Sequence, residues 1–301
     1  MTVLAEKSPD MDTELLALRE ALERRLDSLL PAGGERDRVR AAMREGTLTP
    51  GKRMRPLLLL LAACDLGCDK SHPGLIDLAC AVEMIHAASL IIDDIPCMDN
   101  ALLRRGRATI HRQFGEDVAV LAAVALLSSA FGTVAAAEGL SGNCRAQAVA
   151  ELSAAVGLQG LVQGQFQDLK EGGACRSSEA IATTNDLKTS MLFDATIQMA
   201  ALAADAPPVV RQKLRGFAQD LGQAFQLLDD LADSHSGSGK DLNQDAGKST
   251  LVALLGAEEV HRRLQNHLQS ADRHFAFVCH QGLATRHFMH RWFNQQLATL
   301  R

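Results

Sequence analysis

The chain has 301 residues, 47% of them apolar and 22% charged, with a formal net charge of −5. That is apolar enough for a sizeable core, and so mild an acidity leaves no overall basic field for nucleic acid, so any anion site must be local. Uncharged apolar runs such as residues 118–127 are shorter than a bilayer span, and the opening MTVLAEKSPDMD is charged where a signal peptide is apolar; both point to a soluble cytoplasmic protein without stable membrane insertion.

Leucines at 15, 18, 22, 26, 29 and 30 give residues 14–30 the stripe of an amphipathic helix. After a break at 31–34, helices are expected over 35–46 and, past the break at 49–51, over 54–66. The turn between them, TPGKRMRP at 49–56, gathers Lys52, Arg53 and Arg55 ahead of a leucine run. Arginine forks grip phosphate oxygens in pairs and lysine acts as a point charge, although a solvated basic turn is the commoner fate of such residues. Cys64 and Cys68 stand one helical turn apart near His72, but no second ligand pair of zinc type follows. The seven cysteines contain no CxxC pair, so free thiols are expected.

The next helix, over 75–94, is apolar almost all round and is interrupted only by Asp77, Glu83, His86 and Ser89 before its closing aspartates. Such a helix belongs in the middle of a bundle. It runs into DDIPCMD, which carries Asp93, Asp94 and Asp99. A helix C-terminus already bears partial negative charge, so carboxylates there, beside apolar sequence, need a cation. Asp93 and Asp99 lie about 240° apart on a regular helix and share a face only if the backbone deviates. Pro96 supplies the means, because it lacks the amide that would bond to the carbonyl of Ile92. A looped-out insertion that swings Asp99 back towards Asp93 is therefore expected. His86 lies two turns before Asp93 on the same face; alone it would read as a hydrogen-bonded core histidine. Arg104 and Arg105 are adjacent, so their side chains diverge and can serve two anions.

Further helices are expected over 117–138, 145–171, 177–204, 208–233, 257–279 and 284–299, with breaks at 139–142, 172–173, 207–208 and 234–239. Tyrosine is absent and β-branched residues rarely run together, so strands are nearly absent. With no long linker or repeat, residues 1–301 read as one all-α domain, a bundle with two central helices and a cavity between them, its first twelve residues flexible. LKTSMLF sets Lys188 and Thr189 within a helix. The second central helix, over 217–231, ends in LLDDLAD, where Asp229 and Asp233 share a face and Asp230 lies between them. Hard oxygen ligands select Mg²⁺ or Mn²⁺ over zinc, and Mg²⁺ takes one or two carboxylates, water and phosphate oxygens. One such cluster reads as a solvated helix end; two, on two central helices, read as a clamp for a diphosphate. The stretch SHSGSGKDLNQDAGKST holds Lys240 and Lys248, and its residues 234–240 read as a lid; the GxxxxGK[ST] phosphate loop is absent there. The C-terminal HFMHRWFNQQLATLR reads only as an amphipathic packing helix, with Arg301 solvated.

Through GKRMRP, EMIHAASLIIDDIPCMDNALLRRGRATIH, GQFQDL, LKTSMLF, GQAFQLLDDLAD and GKDLNQDAGKST, the chain from Met43 to Leu300 closely resembles the trans-isoprenyl diphosphate synthases. Within that family it is most similar to the bacterial geranylgeranyl diphosphate synthases of carotenoid biosynthesis. The resemblance implies the isoprenoid-synthase bundle acting as a homodimer, with a trio of Mg²⁺ ions for which Mn²⁺ can substitute. It implies isopentenyl diphosphate and an allylic diphosphate (dimethylallyl, geranyl or farnesyl) as substrates. By the same comparison Asp93, Asp99, Asp229 and Asp233 would bind metal, and Asp94 and Asp230 would assist. Lys52, Arg55, His86 and Arg105 would hold isopentenyl diphosphate. Arg104, Lys188, Thr189, Gln226 and Lys240 would surround the allylic diphosphate, with Lys248 a weaker candidate. Asp93, Asp94, Asp99, Arg104, Lys188, Asp229, Asp230 and Lys240 would carry the catalysis, an ionisation of the allylic diphosphate followed by attack of the isopentenyl double bond.

Product length is expected to depend on Ala88 and Ser89, which lie roughly 6–7.5 Å down the helix axis from Asp93. Both are small, so a growing chain passes them, and an aromatic at 88 would form a floor. With the Pro96 insertion, this resembles the pattern for a C20 product; a floor elsewhere, for instance from 118–127, would give C15. Class I terpene cyclases need no second basic pocket, which counts against them here. Head-to-head synthases show DxxxD clusters, and non-catalytic subunits of heteromeric synthases tend to lose an acidic cluster, whereas both are intact. The basic residues lack the aromatic interleaving or continuous face of a nucleic-acid binder.

Overall fold

Helix-period apolar residues organise nearly the whole chain, of which the computed structural model describes residues 9–32, 37–233, 250–279 and 283–300. In order these form α1 (Pro9–Leu29), α2 (Arg38–Leu48), α3 (Met54–Asp65), α4 (Pro73–Asp93), a hairpin of β1 (Leu103–Arg104) and β2 (Arg107–Ala108), α5 (Ile110–Phe114), α6 (Glu116–Ala136), α7 (Gly142–Val156), α8 (Leu161–Glu171) and α9 (Ser178–Asn185). A π-helical segment (Asp186–Ser190) leads into α10 (Met191–Ala203), and α11 (Pro208–Asp233), α12 (Leu251–Leu255), α13 (Ala257–Val278) and α14 (Ala284–Ala298) complete the bundle.

Helix α4 opens on Pro73, whose missing amide costs nothing in a first turn. It is enclosed by α1, α2, α3, α6 and α10. Its polar interruptions each have a separate use. Asp77 accepts from Nε and Nη2 of Arg25 on α1, at 2.7 and 3.2 Å. Glu83 accepts from Nη1 of Arg53 at 2.5 Å, both side chains being buried. His86, Ser89 and Asp93 are half-buried on an otherwise enclosed helix, and their spacing makes one stripe. Helix α11 buries Leu214, Phe217, Leu221, Ala224 and Leu228 against α10 and α13. Helices α4 and α11 share no extended packing; α10 lies against both. The aspartate-bearing ends of two core helices thus face a common space.

The helix expected over 145–171 is divided into α7 and α8 at the segment containing Gly157 and Gly160, and that expected over 177–204 contains the π turn. A π turn adds one residue to the helical repeat, and such turns concentrate at functional sites. Two glycines admit it. A Cβ on Gly164 of α8 would lie 2.4 Å from the amide nitrogen of Lys188, and one on Gly222 of α11 would lie 2.5 Å from Cα of Ser190. The hairpin was also not foreseen. Its tip residues Arg105 and Gly106 have φ of 54° and 75°, the two left-handed positions of a type I′ turn, and two residues per strand are too few for an alternation signal.

Run length misjudged α6. No residue from 118 to 137 is charged, so α6, like α4, is long and apolar enough to cross a membrane by length and composition. For α4 the bundle explains this, with 72% of its apolar window buried; for α6 only 39% is buried. Ala119, Ala122, Ala123 and Leu126 of α6 are buried, which accounts for its close packing on α4, and Val120, Leu121 and Val124 stay exposed.

Gly222→Ala should destabilise the protein by about 2–3 kcal/mol, because α11 must part from the π segment. Gly132→Ala, on α6 with nothing within 4 Å of the new methyl, should be neutral or stabilising by up to ~1 kcal/mol. Denaturant unfolding of the two variants checks both.

Candidate active site

At the end of α4 the backbone does loop out. Ile95 donates to the carbonyl of Ile92 at 3.3 Å, the acceptor that Pro96 leaves, and the amide of Asp99 donates to the carbonyl of Asp93 at 2.9 Å. Asn100 and Ala101 close the loop on the carbonyls of Ile95 and Asp94, each at 3.1 Å. Asp99 is thereby returned to Asp93. Burial pushes the Asp93 carboxyl up to about 6, with Asp99 and Asp94 adding to the rise and Lys188 and Arg104 opposing it. Asp94 points elsewhere. It is buried, accepts from Nε and Nη2 of Arg104 at 3.0 and 2.5 Å, and shares a small cavity against α2 and the hairpin with Ala87, Leu90 and Ile91. Its place is behind Arg104, not beside Asp93.

Across the space, Asp229 and Asp233 are half-buried at the end of α11. Asp230 is buried and accepts from Gln226 Nε2 at 3.0 Å, while Gln226 Oε1 accepts from Thr189 Oγ1 at 2.8 Å. Thr189 and Lys188 sit in the π segment, and Lys188 Nζ donates to Asp168 of α8 at 2.7 Å. Arg104 joins the two clusters: burial opposes its charge, but Asp94, Asp93 and Asp229 together raise its pKa. Among the described residues no three acidic, histidine or cysteine side chains converge tightly enough to enclose an ion alone. Carboxylates paired across a gap, one of them held in a costly charged state by burial, fit a Mg²⁺ site that phosphate and water complete.

A second, basic subsite adjoins the first. Arg53 caps α3 in a left-handed conformation (φ 50°) and is spent on structure, bonded to Glu83 and to the carbonyl of Thr49 at 3.1 Å. Arg55 is buried with its guanidinium 4.3 Å from the ring centre of Phe193 and 5.2 Å from that of Phe225. Its Nε has no hydrogen-bond partner, and burial lowers its pKa to about 10, though Glu83 and Asp229 pull the other way. A buried guanidinium resting on rings calls for an anion. Arg105, at the hairpin tip, lies over Gly51, where a Cβ would come within 2.3 Å of its Nη1. His86 is kept neutral by burial and by the guanidinium groups of Arg55, Arg105, Arg104 and Arg53. Lys52 is exposed, 5.2 Å above the ring centre of Trp292.

Arg104 turns to Asp94 and Arg105 to the carbonyl of Pro50, and both line the small cavity beside Asp94. Lys240 and Lys248, the lid at 234–240 and Arg301 lie outside the described residues. Ala88 is 1% exposed and enclosed, whereas Ser89 shares the stripe of Asp93 and donates to the carbonyl of His86 at 2.9 Å. Sequence reasoning missed Asp168, the buried and unpartnered amide of Gln165, and Trp292. The first two stand in GQFQDL, a signature it quoted without assigning a residue.

Residues 36–276 match the family model described as Polyprenyl synthetase. Across the full length of both chains, the protein is 60% identical to a geranylgeranyl diphosphate synthase of Pantoea ananas. It is 56% identical to that of Pseudescherichia vulneris, over 95% of this chain and 93% of the relative. Among solved structures it is similar to a Helicobacter pylori geranyltransferase complexed with magnesium and isoprenyl diphosphate, with TM-score 0.85, 28% identity and coverage of 98% and 99%. It is also similar to a farnesyl/geranylfarnesyl diphosphate synthase from Zymomonas mobilis, with TM-score 0.84, 30% identity and coverage of 94% and 99%.

The Asp93 carboxyl titrates near 6 against an ordinary 3.8, so folding binds its proton more tightly and the charged form costs stability as pH rises past both values. Metal-free Asp93→Asn should accordingly be more stable than wild type at pH 7.5, by about 1–3 kcal/mol, and nearly equal to it at pH 4. Urea unfolding in EDTA checks this; added Mg²⁺ should stabilise wild type far more than the variant.

Proposed function

The chain belongs to the polyprenyl synthetase family, and from that premise we propose that it condenses isopentenyl diphosphate with allylic diphosphates to give all-trans geranylgeranyl diphosphate. The observation that carries the reading is the pairing of two subsites. One is built from two carboxylate clusters acting on a single arginine, the other from a buried guanidinium with no hydrogen-bond partner at Nε. A terpene cyclase, which takes one diphosphate, has no use for the second.

Mg²⁺ held by Asp93, Asp99, Asp229 and Asp233, or Mn²⁺ in its place, would neutralise diphosphate charge as a Lewis acid. Arg104 and Lys188 bind the allylic diphosphate and stabilise it as its bond to C1 breaks. Asp94 and Asp168 orient those two cations by ion pairs at 2.5 and 2.7 Å. Thr189 and Gln226, fixed by Asp230, line the place where the allylic cation forms. Lys52, Arg55, neutral His86 and Arg105 hold isopentenyl diphosphate so that its double bond meets C1. The terminal carbon of the isopentenyl double bond bonds to C1, the positive charge passes to C3 of the isopentenyl unit, C2 loses a proton to the departing diphosphate to form the new double bond, and the product is five carbons longer. No side-chain nucleophile is required. Lys240 completes the allylic subsite in this reading.

Residues 1–301 act as one domain. The enzyme works as a homodimer in the cytoplasm, supplying carotenoid biosynthesis. For the dimer, the support is the apolar face of Val120, Leu121 and Val124 on α6, with exposures of 39, 56 and 57%, which a second copy would cover. Leu121→Asp should then convert dimer to monomer in light scattering.

The test of function is product length, with purified protein, Mg²⁺, labelled isopentenyl diphosphate and each allylic starter in turn. A mainly C20 product, abolished by EDTA, is expected. Mainly C15 would keep the chemistry and remove the chain-length reading; no elongation would favour a non-catalytic subunit. Ser89→Tyr, on the Asp93 face, should shift output to C15 by placing a ring in the path of the chain. Ala88→Tyr must first open packed interior and should cost about 1–3 kcal/mol of stability.

A further inference from the structure

The longest signature, residues 83–111, closes on RATIH. Its Thr109 stands at the N-cap of α5, where a threonine hydroxyl ordinarily accepts from an amide of the first turn. Here it makes no such bond. Thr109 is 2% exposed, and its hydroxyl instead donates to the carbonyl of Ala101 at 2.8 Å and lies 3.1 Å from Nδ1 of His111. A hydroxyl has one proton to give. With that proton on the Ala101 carbonyl, the contact with Nδ1 holds only if the imidazole carries its hydrogen there, so His111 is the donor. The other end of this relay is a joint of the site. Ala101 is fully enclosed; its amide donates to the carbonyl of Asp94 at 3.1 Å, and the amide of Thr109 donates to the carbonyl of Leu102 at 3.1 Å. On one side of the joint is the loop that returns Asp99 to Asp93, and on the other is the hairpin that carries Arg104.

We propose that His111 is a positioning residue for the allylic subsite. Its Nδ1 hydrogen fixes the Thr109 hydroxyl, the hydroxyl fixes the Ala101 carbonyl, and that carbonyl sets how the Asp99 loop meets the Arg104 hairpin. The proposal rests on the assignment of Asp99 to metal and of Arg104 to the allylic diphosphate. A hairpin with two residues per strand is too short to hold its own direction, so the direction of Arg104 is decided at the base. Thr109 forgoes a helix cap worth about 1 kcal/mol to serve there, and His111 is buried to the same end, at 7% exposure. An apolar pair at 109 and 111 would fill the space without reaching the Ala101 carbonyl. Arg105, farther out at the tip, has its own seat over Gly51 and the carbonyl of Pro50, so the isopentenyl subsite depends less on this joint.

Steady-state kinetics of four variants test this. His111→Ala should raise KM for the allylic diphosphate, and the Mg²⁺ concentration giving half the maximal rate, by about fivefold to thirtyfold each, equivalent to about 1–2 kcal/mol at 1.4 kcal/mol per decade. KM for isopentenyl diphosphate should stay within about twofold. His111→Asn, whose amide nitrogen takes the place of Nδ1, should recover most of the loss. Thr109→Val, nearly the same shape without the hydroxyl, should behave as His111→Ala does, and Thr109→Ser as wild type. The Thr109 pair decides the matter if His111→Ala does not fold. A wild-type allylic KM in Thr109→Val, equal rises in both KM values, or no recovery in His111→Asn overturns the proposal while wild-type turnover upholds the function. Wild type that elongates no starter overturns both.

Discussion

Asp93 is held with Asp99 at the negative end of a buried helix, a placement that folding alone opposes. The rest of the site answers that charge. Arg104 lies between the two acidic helix ends, tied to Asp94 so that it cannot collapse onto Asp93. Lys188 offsets the same carboxylate, but its ammonium is already bonded to Asp168. The compensation is incomplete, and the incompleteness is the binding potential. A cation that brings phosphate with it relieves several like charges at once.

The π segment follows from the same need. Lys188 and Thr189 must face inward from a helix that also packs on α8 and α11, and one added residue in the turn rotates them there. Gly164 and Gly222 remove the methyl groups that would hold those helices apart. Local backbone energy is spent so that a lysine and a threonine meet the acidic clusters.

The basic subsite is ordered by different physics. Arg53 is consumed by Glu83, whereas Arg55 and Lys52 rest on aromatic faces. Position 53 secures the start of α3, and positions 52 and 55 are presented from it. Burial and the guanidinium groups of Arg55, Arg105, Arg104 and Arg53 hold the His86 imidazole well below its ordinary range.

Much of this was legible in the chain. Amphipathic and all-apolar periods fixed the long helices, because burial of an apolar face is a property of the local sequence. The double aspartate clusters, the need of Pro96 for a loop and the divergence of Arg104 from Arg105 follow from the helical repeat and from one missing amide. What the chain by itself could not decide was which way neighbouring charges point and what they meet. Consecutive helical residues differ by about 100° in direction, so Asp93 faces the site while Asp94 turns behind it to Arg104. Ser89 is half-buried on the stripe of Asp93, whereas Ala88, one residue away, is enclosed. Arg53 and Arg55 differ in role because Glu83, thirty positions on from Arg53, accepts a hydrogen bond from Arg53 and acts on Arg55 only through its charge. Trp292 gains its place beside Lys52 only when α14 docks along α3. Such partners are separated by tens to hundreds of residues, and only packing brings them within the few ångströms at which charge and aromatic faces act.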